Sequence, residues 1–126
     1  MIFLIGRVLF GGFFVMNGLN HFMKMDMMAG YASSKNVPVA KFMVILTGLM
    51  LLLGGMGVVL GVYVKLSVIL LFIFLSVVSF KMHNFWTITD ENQKMAEMVN
   101  FTKNMALLGA ALMILMIPAP WAYSLF

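Results

Sequence analysis

The sequence of 126 residues contains no cysteine. This absence excludes disulfide bonds, zinc ribbons, iron–sulfur clusters, thiol catalysis and CxxC redox chemistry. Motifs for hydrolysis and nucleotide binding are also absent, since the chain has no HExxH, no G-x-S-x-G, no phosphate-binding loop and no histidine–carboxylate pair within one motif. Charged residues make up only 10% of the chain, and no basic tract is present, so we expect no nucleic-acid partner.

Apolar residues, in contrast, are abundant. They make up 63% of the chain, whose mean hydropathy is +1.07. Soluble domains are about half apolar and a quarter charged, and a small domain buries only about 60 to 70% of the surface that its unfolded chain exposes. The composition therefore predicts one integral membrane domain over residues 1–126, with the lipid bilayer as its first partner.

Four apolar segments have the length of about 20 residues that a membrane-spanning helix needs. They cover approximately residues 2–22, 39–60, 64–81 and 100–117. The last segment ends before Pro118 and Pro120, which cannot continue a helix interior. The sequence thus predicts an all-α fold, an antiparallel four-helix transmembrane bundle with both termini on one side.

The connections between these segments carry helix-boundary signals. In the first connection, Asp26 is a favourable N-cap for a short helix over residues 27–35, and Asn36 tolerates the left-handed conformation that ends a helix. We expect this short helix to lie at the membrane interface. In the third connection, Asp90 and Gln93 have the spacing of a capping pair, which predicts that the fourth helix begins directly after Asp90.

The positive charges are divided unevenly between the two sides of the predicted bundle. We call the side with the two long connections, residues 23–38 and 83–99, the loop side. Arg7 and Lys65 lie toward the opposite side, and the other basic residues lie toward the loop side: Lys24, Lys35, Lys41, Lys81, Lys94 and Lys103. The positive-inside rule therefore predicts that the loop side faces the cytoplasm from a cell (inner) membrane. The same connections also contain acidic residues, so the alternative that the loop side faces the outside of the cell stays open.

Side chains within the spans predict how the helices pack. Arg7 interrupts the first span, and we expect its side chain to extend to the nearby membrane surface. Helices in lipid pack through small residues, because lipid provides no hydrophobic drive for association. The candidate contact positions are Gly11, Gly12 and Gly18 on the first helix, Gly54, Gly55, Gly57 and Gly61 on the second, and Ala106, Gly109, Ala110 and Ala111 on the fourth.

Polar side chains concentrate at the loop-side ends of three helices. The candidate ligand-binding residues are Asn17, Asn20, His21, Lys81, His83, Trp86, Lys103 and Asn104. In lipid, such groups must bond to one another or to a ligand. Two interpretations are open: a hydrogen-bonded plug that fixes the helix ends, and a pocket for a quinone head or a small anion. Amides and imidazoles suit a carbonyl oxygen, and lysines suit an oxyanion.

Two metal cofactors are conceivable from the same region. His21 and His83 lie at similar predicted depth on different helices, so a bis-histidine haem is geometrically feasible. The methionines close to these histidines would suit Cu(I). Both hypotheses are disfavoured, because the histidines lie at the ends of their spans and the 15 methionines are spread along the chain as apolar gap-fillers. We therefore assign no metal ligand and expect neither haem nor copper.

Six pieces of the sequence together resemble the DoxX family of small four-helix membrane proteins. They are residues 6–12 (GRVLFGG), 17–22 (NGLNHF), 31–38 (YASSKNVP), 52–55 (LLGG), 83–86 (HNFW) and 100–109 (NFTKNMALLG). The chain departs from the family at Asn36, where glycine is frequent, and at Leu52 and Leu53, where many members carry an acidic residue before the glycine pair. Motif residues of this resemblance include Arg7 and several of the polar residues at the loop-side helix ends, and they favour the pocket over the plug. The loop-side ones are Asn20, His21, His83, Trp86, Lys103 and Asn104.

The resemblance implies an association with membrane redox systems, because the family includes a subunit of a thiosulfate:quinone oxidoreductase. It predicts an integral membrane subunit that binds a quinone or a small polar substrate at the loop side. An enzymatic role would be that of a quinone-linked oxidoreductase subunit. The alternative is a non-catalytic structural or assembly subunit of a larger membrane complex. Both versions need further membrane or redox subunits as partners, because a chain without cysteine or evident cofactor ligands cannot carry electrons far alone. The sequence also leaves open that the chain forms an oligomer.

Overall fold

The computed structural model describes residues 1–118, 120 and 121, and every regular element within them is helical. The helices are α1 (Ile2–Met23), α2 (Met25–Ser34), α3 (Ala40–Leu60), α4 (Val64–Met82) and α5 (Glu91–Leu115), with a one-turn 3-10 helix at Phe85–Thr87. Four segments are long and apolar enough to cross a membrane: α1, α3, α4 with the 3-10 turn after it, and α5. The predicted all-α class with four candidate membrane spans is confirmed.

Two of the helix-boundary signals act as the sequence predicts. Asp90 is the N-cap of α5, and its carboxylate accepts a hydrogen bond of 3.0 Å from the backbone N–H of Gln93. Asn36, just after α2, has a φ of 63°, which is the left-handed conformation expected there. Because α5 starts at the Asp90 cap, its first turns precede the apolar part of the helix.

The N-cap prediction for Asp26 is wrong. Helix α2 begins at Met25, and its N-cap is Lys24, which makes no side-chain capping bond. The reason is that α1 continues to Met23, so that the chain turns at the single residue between the two helices. Asp26 lies instead in the first turn of α2, where its negative charge interacts favourably with the positive end of the helix dipole.

Arg7 departs from the sequence analysis, because its side chain is buried in the protein instead of extending to a surface. Arg7 is 2% exposed, and its Nε and Nη2 donate hydrogen bonds of 3.2 and 2.9 Å to the carbonyl oxygens of Val58 and Val59. These carbonyls belong to the last turn of α3, where helical backbone acceptors lack partners within the helix. The negative end of the α3 dipole adds attraction for the guanidinium. Arg7 therefore caps α3.

Helices α1 and α3 approach each other through paired glycines. A Cβ added to Gly11 would lie 2.6 Å from the carbonyl oxygen of Gly55, and one added to Gly18 would lie 3.0 Å from that of Gly48. The contacting residue numbers rise along α1 as they fall along α3. Gly12, a third predicted contact position, has no atom within 4 Å of such a Cβ. The small residues thus bring the two backbones together, as expected for helices in lipid, but only on one face of α1.

Helices α3 and α4 also pack through glycine. A Cβ on Gly54 would lie 2.8 Å from the side chain of Leu71, and one on Gly57 would lie 1.7 Å from Oγ of Ser67. Gly61, with a φ of 72°, ends α3 in the left-handed conformation that glycine adopts without strain. This conformation allows the short turn that returns the chain to pack against α3.

The remaining helix contacts show that α1 and α5 are not packed closely against each other within the described residues. Helix α3 packs against α1, α2 and α4, and α4 packs against α5. Within the described residues α1 and α5 are not a closely packed pair, and they meet mainly through side chains. The ring of Phe3 on α1 has its centroid 5.0 Å from that of Trp121, which follows α5, and Nζ of Lys103 on α5 lies 5.5 Å from the ring centroid of Phe13. We call this gap the α1–α5 seam.

Candidate functional site

A cavity of about 470 Å³ lies at the loop-side end of the helices, with walls from all five of them. We call it the head cavity. Its volume is within the range of about 300 to 1,000 Å³ that is typical of small-molecule sites, and most of its lining is apolar. Six of the eight candidate ligand-binding residues line it: Asn17, His21, Lys81, His83, Lys103 and Asn104.

His21 presents one free ring nitrogen within this cavity. The residue is 8% exposed, and its Nδ1 lies 2.8 Å from the backbone carbonyl oxygen of Asn17. Because a carbonyl oxygen can only accept, Nδ1 carries the proton in this bond, and the neutral imidazole then offers Nε2 as an acceptor. Nε2 makes no hydrogen bond to any other described residue. The imidazole is therefore held by its own helix with its second nitrogen available to a ligand.

Asn104 brings a second unengaged polar group to the same cavity. It is 6% exposed, yet its carboxamide forms no hydrogen bond with another residue of the described chain. Among the described residues, the fully buried side-chain polar atom without a partner is Oγ of Ser79, so the amide atoms of Asn104 are not sealed in the protein and remain accessible from the cavity that the residue lines. The carboxamide of Asn17, one helical turn before His21, differs because its Nδ2 donates to the carbonyl oxygen of Phe13 at 2.8 Å. Asn104 thus offers both a donor and an acceptor to a ligand.

Two exposed lysines give the head cavity positive charge. Lys81 and Lys103 line it, and neither forms an ion pair with a carboxylate within the described residues. The ammonium of Lys103 lies over the ring of Phe13, a geometry that stabilises a cation. Among the described residues that line the cavity there is no aspartate or glutamate. A ligand group with negative charge or strong acceptor oxygens is therefore favoured over a cation.

Glu97, which the sequence analysis did not single out, organises the wall beside the head cavity. It is 9% exposed, and its carboxylate accepts hydrogen bonds from the Tyr31 hydroxyl and, at 3.1 Å, from Nδ2 of Asn100. Nδ1 of His83 and Nζ of Lys35 lie 3.4 and 3.5 Å from the same carboxylate. We call these five residues the Glu97 network. It joins α2, the end of α4 and α5.

A signal for Glu97 was present in the sequence. Since α5 begins at the Asp90 cap, Glu97, Asn100 and Asn104 follow one another at i, i+3 and i+7 and share one helical face. The sequence analysis treated residues 83–99 as a connection between helices. Glu97 was therefore counted as a solvated loop charge and was not considered as part of a helix face. The spatial pair of His83 and Glu97 could not be found as a motif, because the two residues lie on different helices.

Tyr31 of α2 contributes a hydroxyl that stays protonated. Burial raises its pKa well above the ordinary value, and the hydrogen bond to Glu97 and the negative charge of that carboxylate raise it further. The phenol therefore remains a hydrogen-bond donor across the physiological pH range. Since Tyr31 also lines the head cavity, the Glu97 network fixes part of the cavity wall.

Asn20 and Trp86 do not line the head cavity. Asn20 is rotated by about 100° around α1 from its neighbour His21, which turns it away from the cavity. Trp86 lies in the 3-10 turn after α4, is 51% exposed, and packs in a group of aromatic rings with Phe80, Phe85 and Phe101. Because α4 ends at Met82 and Trp86 lies in the separate 3-10 turn, Trp86 does not continue the face of α4 that lines the cavity.

The described residues contain no group of three or more histidine or acidic side chains that could hold a metal ion. The expectation of neither haem nor copper stays a prediction from the sequence.

Comparison with protein-family models gives one match, to the model described as DoxX, over residues 2–84. The match spans α1 to α4 and includes His21, Lys81 and His83, whereas Lys103 and Asn104 lie beyond it. No curated protein matches the chain. No solved structure matches it either.

Proposed function

The chain belongs to the DoxX family, and we propose that it is a subunit of a membrane redox system that binds a quinone, or a small polar substrate of similar chemistry, in the head cavity. It is a multi-pass membrane protein with four apolar helices. The protein supplies the binding groups, and a partner redox subunit supplies or removes the electrons. No residue is assigned a catalytic role.

One observation carries this proposal: His21 and Asn104 are only 8% and 6% exposed, both line one mostly apolar cavity, and His21 Nε2 and the Asn104 carboxamide have no hydrogen-bond partner among the described residues. The carbonyl oxygens of a quinone accept hydrogen bonds, which the Asn104 amide and the Lys103 ammonium can donate. The hydroxyls of the reduced quinol donate hydrogen bonds, which Nε2 of His21 can accept. The head cavity therefore offers partners to both redox forms.

The binding test uses purified protein in detergent and a short-chain benzoquinone as the probe. Asn104→Leu removes the amide while keeping a similar volume, and we expect it to weaken binding about tenfold, measured by titration calorimetry. Asn20→Leu is the matched control, because it makes the same exchange on a residue outside the cavity, and it should leave the dissociation constant unchanged. Equal binding by the two variants would contradict the proposal.

The alternative of a structural or assembly subunit is favoured by the Glu97 network, whose polar groups satisfy one another without a ligand. Protein stability separates the two functions. If Asn104 belonged to a structural plug, Asn104→Leu would lower the melting temperature, because the polar groups bonded to Asn104 in that plug would lose a hydrogen bond. If Asn104 faces a ligand, the variant should be at least as stable as the parent, because an unengaged buried amide is replaced by an apolar side chain.

For the membrane arrangement, we propose an antiparallel bundle of α1, α3, α4 and α5, with α2 at the interface and the loop side in the cytoplasm. The opposite running of residue numbers in the contacts of α1 with α3 supports the antiparallel order. The excess of lysines on the loop side supports the orientation.

This orientation can be tested by labelling, because the natural chain has no cysteine to interfere. Lys65→Cys and Asn92→Cys place single thiols at exposed positions on opposite sides of the bundle. In intact cells, a membrane-impermeant maleimide should label the Lys65→Cys protein at once and the Asn92→Cys protein only after permeabilisation. The reverse pattern would place the loop side outside the cytoplasm.

A further inference from the structure

A second cavity, of about 380 Å³, lies between α1 and α5 farther from the loop side. On α1 it is lined by Gly6 and Arg7, and on α5 by Ala110 and Ile114, among other apolar residues. Among the described residues its lining is apolar apart from Arg7, whose guanidinium is hydrogen-bonded to the end of α3. We call this space the tail groove.

The tail groove and the head cavity lie in series along the α1–α5 seam. The head cavity includes Phe13 to His21 on α1, and the tail groove continues with residues 3–7 of the same helix. On α5 the order is reversed, from Asn104 in the head cavity to Ala110 in the groove. From His21 to Arg7 the helix rises by about 21 Å. The unengaged polar groups lie at one end of this path, and the other end is apolar.

Side-chain contacts along the seam disfavour a partner helix as the occupant of the groove. A helix with its side chains is about 10 to 12 Å across. Side chains meet at two places along this path, with Lys103 over Phe13 near the head cavity and Phe3, which lines the tail groove, against Trp121, which follows α5. Within the groove, a Cβ on Gly6 would meet no atom within 4 Å. A partner helix would have to separate both contacts, whereas a single flexible apolar chain would not.

We propose that the tail groove binds the apolar tail of a membrane-resident amphipathic molecule whose polar head occupies the head cavity. This inference rests on the proposed function and narrows its substrate class to quinones with a long alkyl or prenyl chain. Because lipid is as apolar as the groove, the tail adds affinity through packing and not through transfer from water. The groove thus selects for chain length and shape, and the head cavity selects for the polar group.

The test uses photo-crosslinking with two probes, a benzoquinone with a diazirine on the ring substituent and a long-chain benzoquinone with a diazirine at the end of its chain. We expect the head probe to label α1 and α5 near His21 and Asn104, and the tail probe to label residues 110–117, at and just after the end of α5. An excess of unlabelled long-chain quinone should suppress both labels. The labelled peptides are identified by mass spectrometry of the purified protein in detergent.

Gly6→Phe fills the groove and Gly12→Phe is its matched control, since Gly12 lines neither cavity and also has open space around it. Gly6→Phe should reduce the tail label at least fivefold while leaving the head label and the melting temperature unchanged, and Gly12→Phe should change neither label. A head label near His21 combined with a tail label elsewhere would overturn the proposal that the groove binds the tail, and it would leave the proposed function standing. The tail-groove proposal would also be overturned if a phospholipid suppressed the tail label as effectively as the quinone does. Absence of any quinone-suppressible label would overturn both proposals.

Discussion

Replacing Glu97 with glutamine is expected to lower the free energy of unfolding by about 2 to 4 kcal/mol. The carboxylate is the one acid of its network, and the side chains of Glu97 and Lys35 are only 12% and 17% exposed. Glutamine keeps the volume but removes the negative charge that faces Lys35 and His83, and its amide nitrogen cannot accept the hydrogen bond from Tyr31. Removing one partner of a mostly buried ion pair costs more than the pair itself contributes.

Unfolding of the detergent-solubilised protein by SDS titration measures this loss. Glu91→Gln is the matched control, since Glu91 is an exposed glutamate in the first turn of the same helix. Its charge interacts only with the helix dipole, and the control should lose no more than about 1 kcal/mol. Equal losses in the two variants would show that the Glu97 network does not stabilise the contacts among α2, α4 and α5.

The Glu97 network also shows which part of the site can be predicted from sequence. Asn104 and His21 were identified because each lies on a polar face of an apolar helix, and helical spacing alone fixes that face. The Glu97 contacts with Tyr31 and His83 depend instead on where three separate elements end. That arrangement is set by tertiary packing, and no periodic pattern in the sequence encodes it.

Arg7 illustrates the same limit for the fold. A basic residue near a helix end commonly extends to the membrane surface, and the sequence alone favours that outcome. The structure provides a nearer acceptor, the carbonyl groups of Val58 and Val59, which are 51 and 52 residues away along the chain. The local capping signal at Asp90 was predicted correctly, whereas a cap supplied by another helix depends on how the helices pair.

The pairing of α1 with α3 leads to a second large expected effect. Gly11→Ala should destabilise the protein by about 2 kcal/mol, because the new methyl group would lie 2.6 Å from the carbonyl oxygen of Gly55 and 2.6 Å from Cγ2 of Val59. The backbone oxygen cannot move aside as a side chain would, so the helices must separate. Thermal unfolding in detergent, followed by circular dichroism, measures the loss.

Gly12→Ala is the control, since it adds the same methyl group to the adjacent residue, where no atom lies within 4 Å. Alanine favours the helix by about 1 kcal/mol relative to glycine, so this variant should be as stable as the parent or more so. The reciprocal change Gly55→Ala meets the carbonyl oxygen of Gly11 at 2.7 Å and should resemble Gly11→Ala. Both variants separate the same two helices, so the loss in the double variant should be smaller than the sum of the single losses. Additive losses would show that the glycines act independently and that the close approach of the two backbones is not the shared cause.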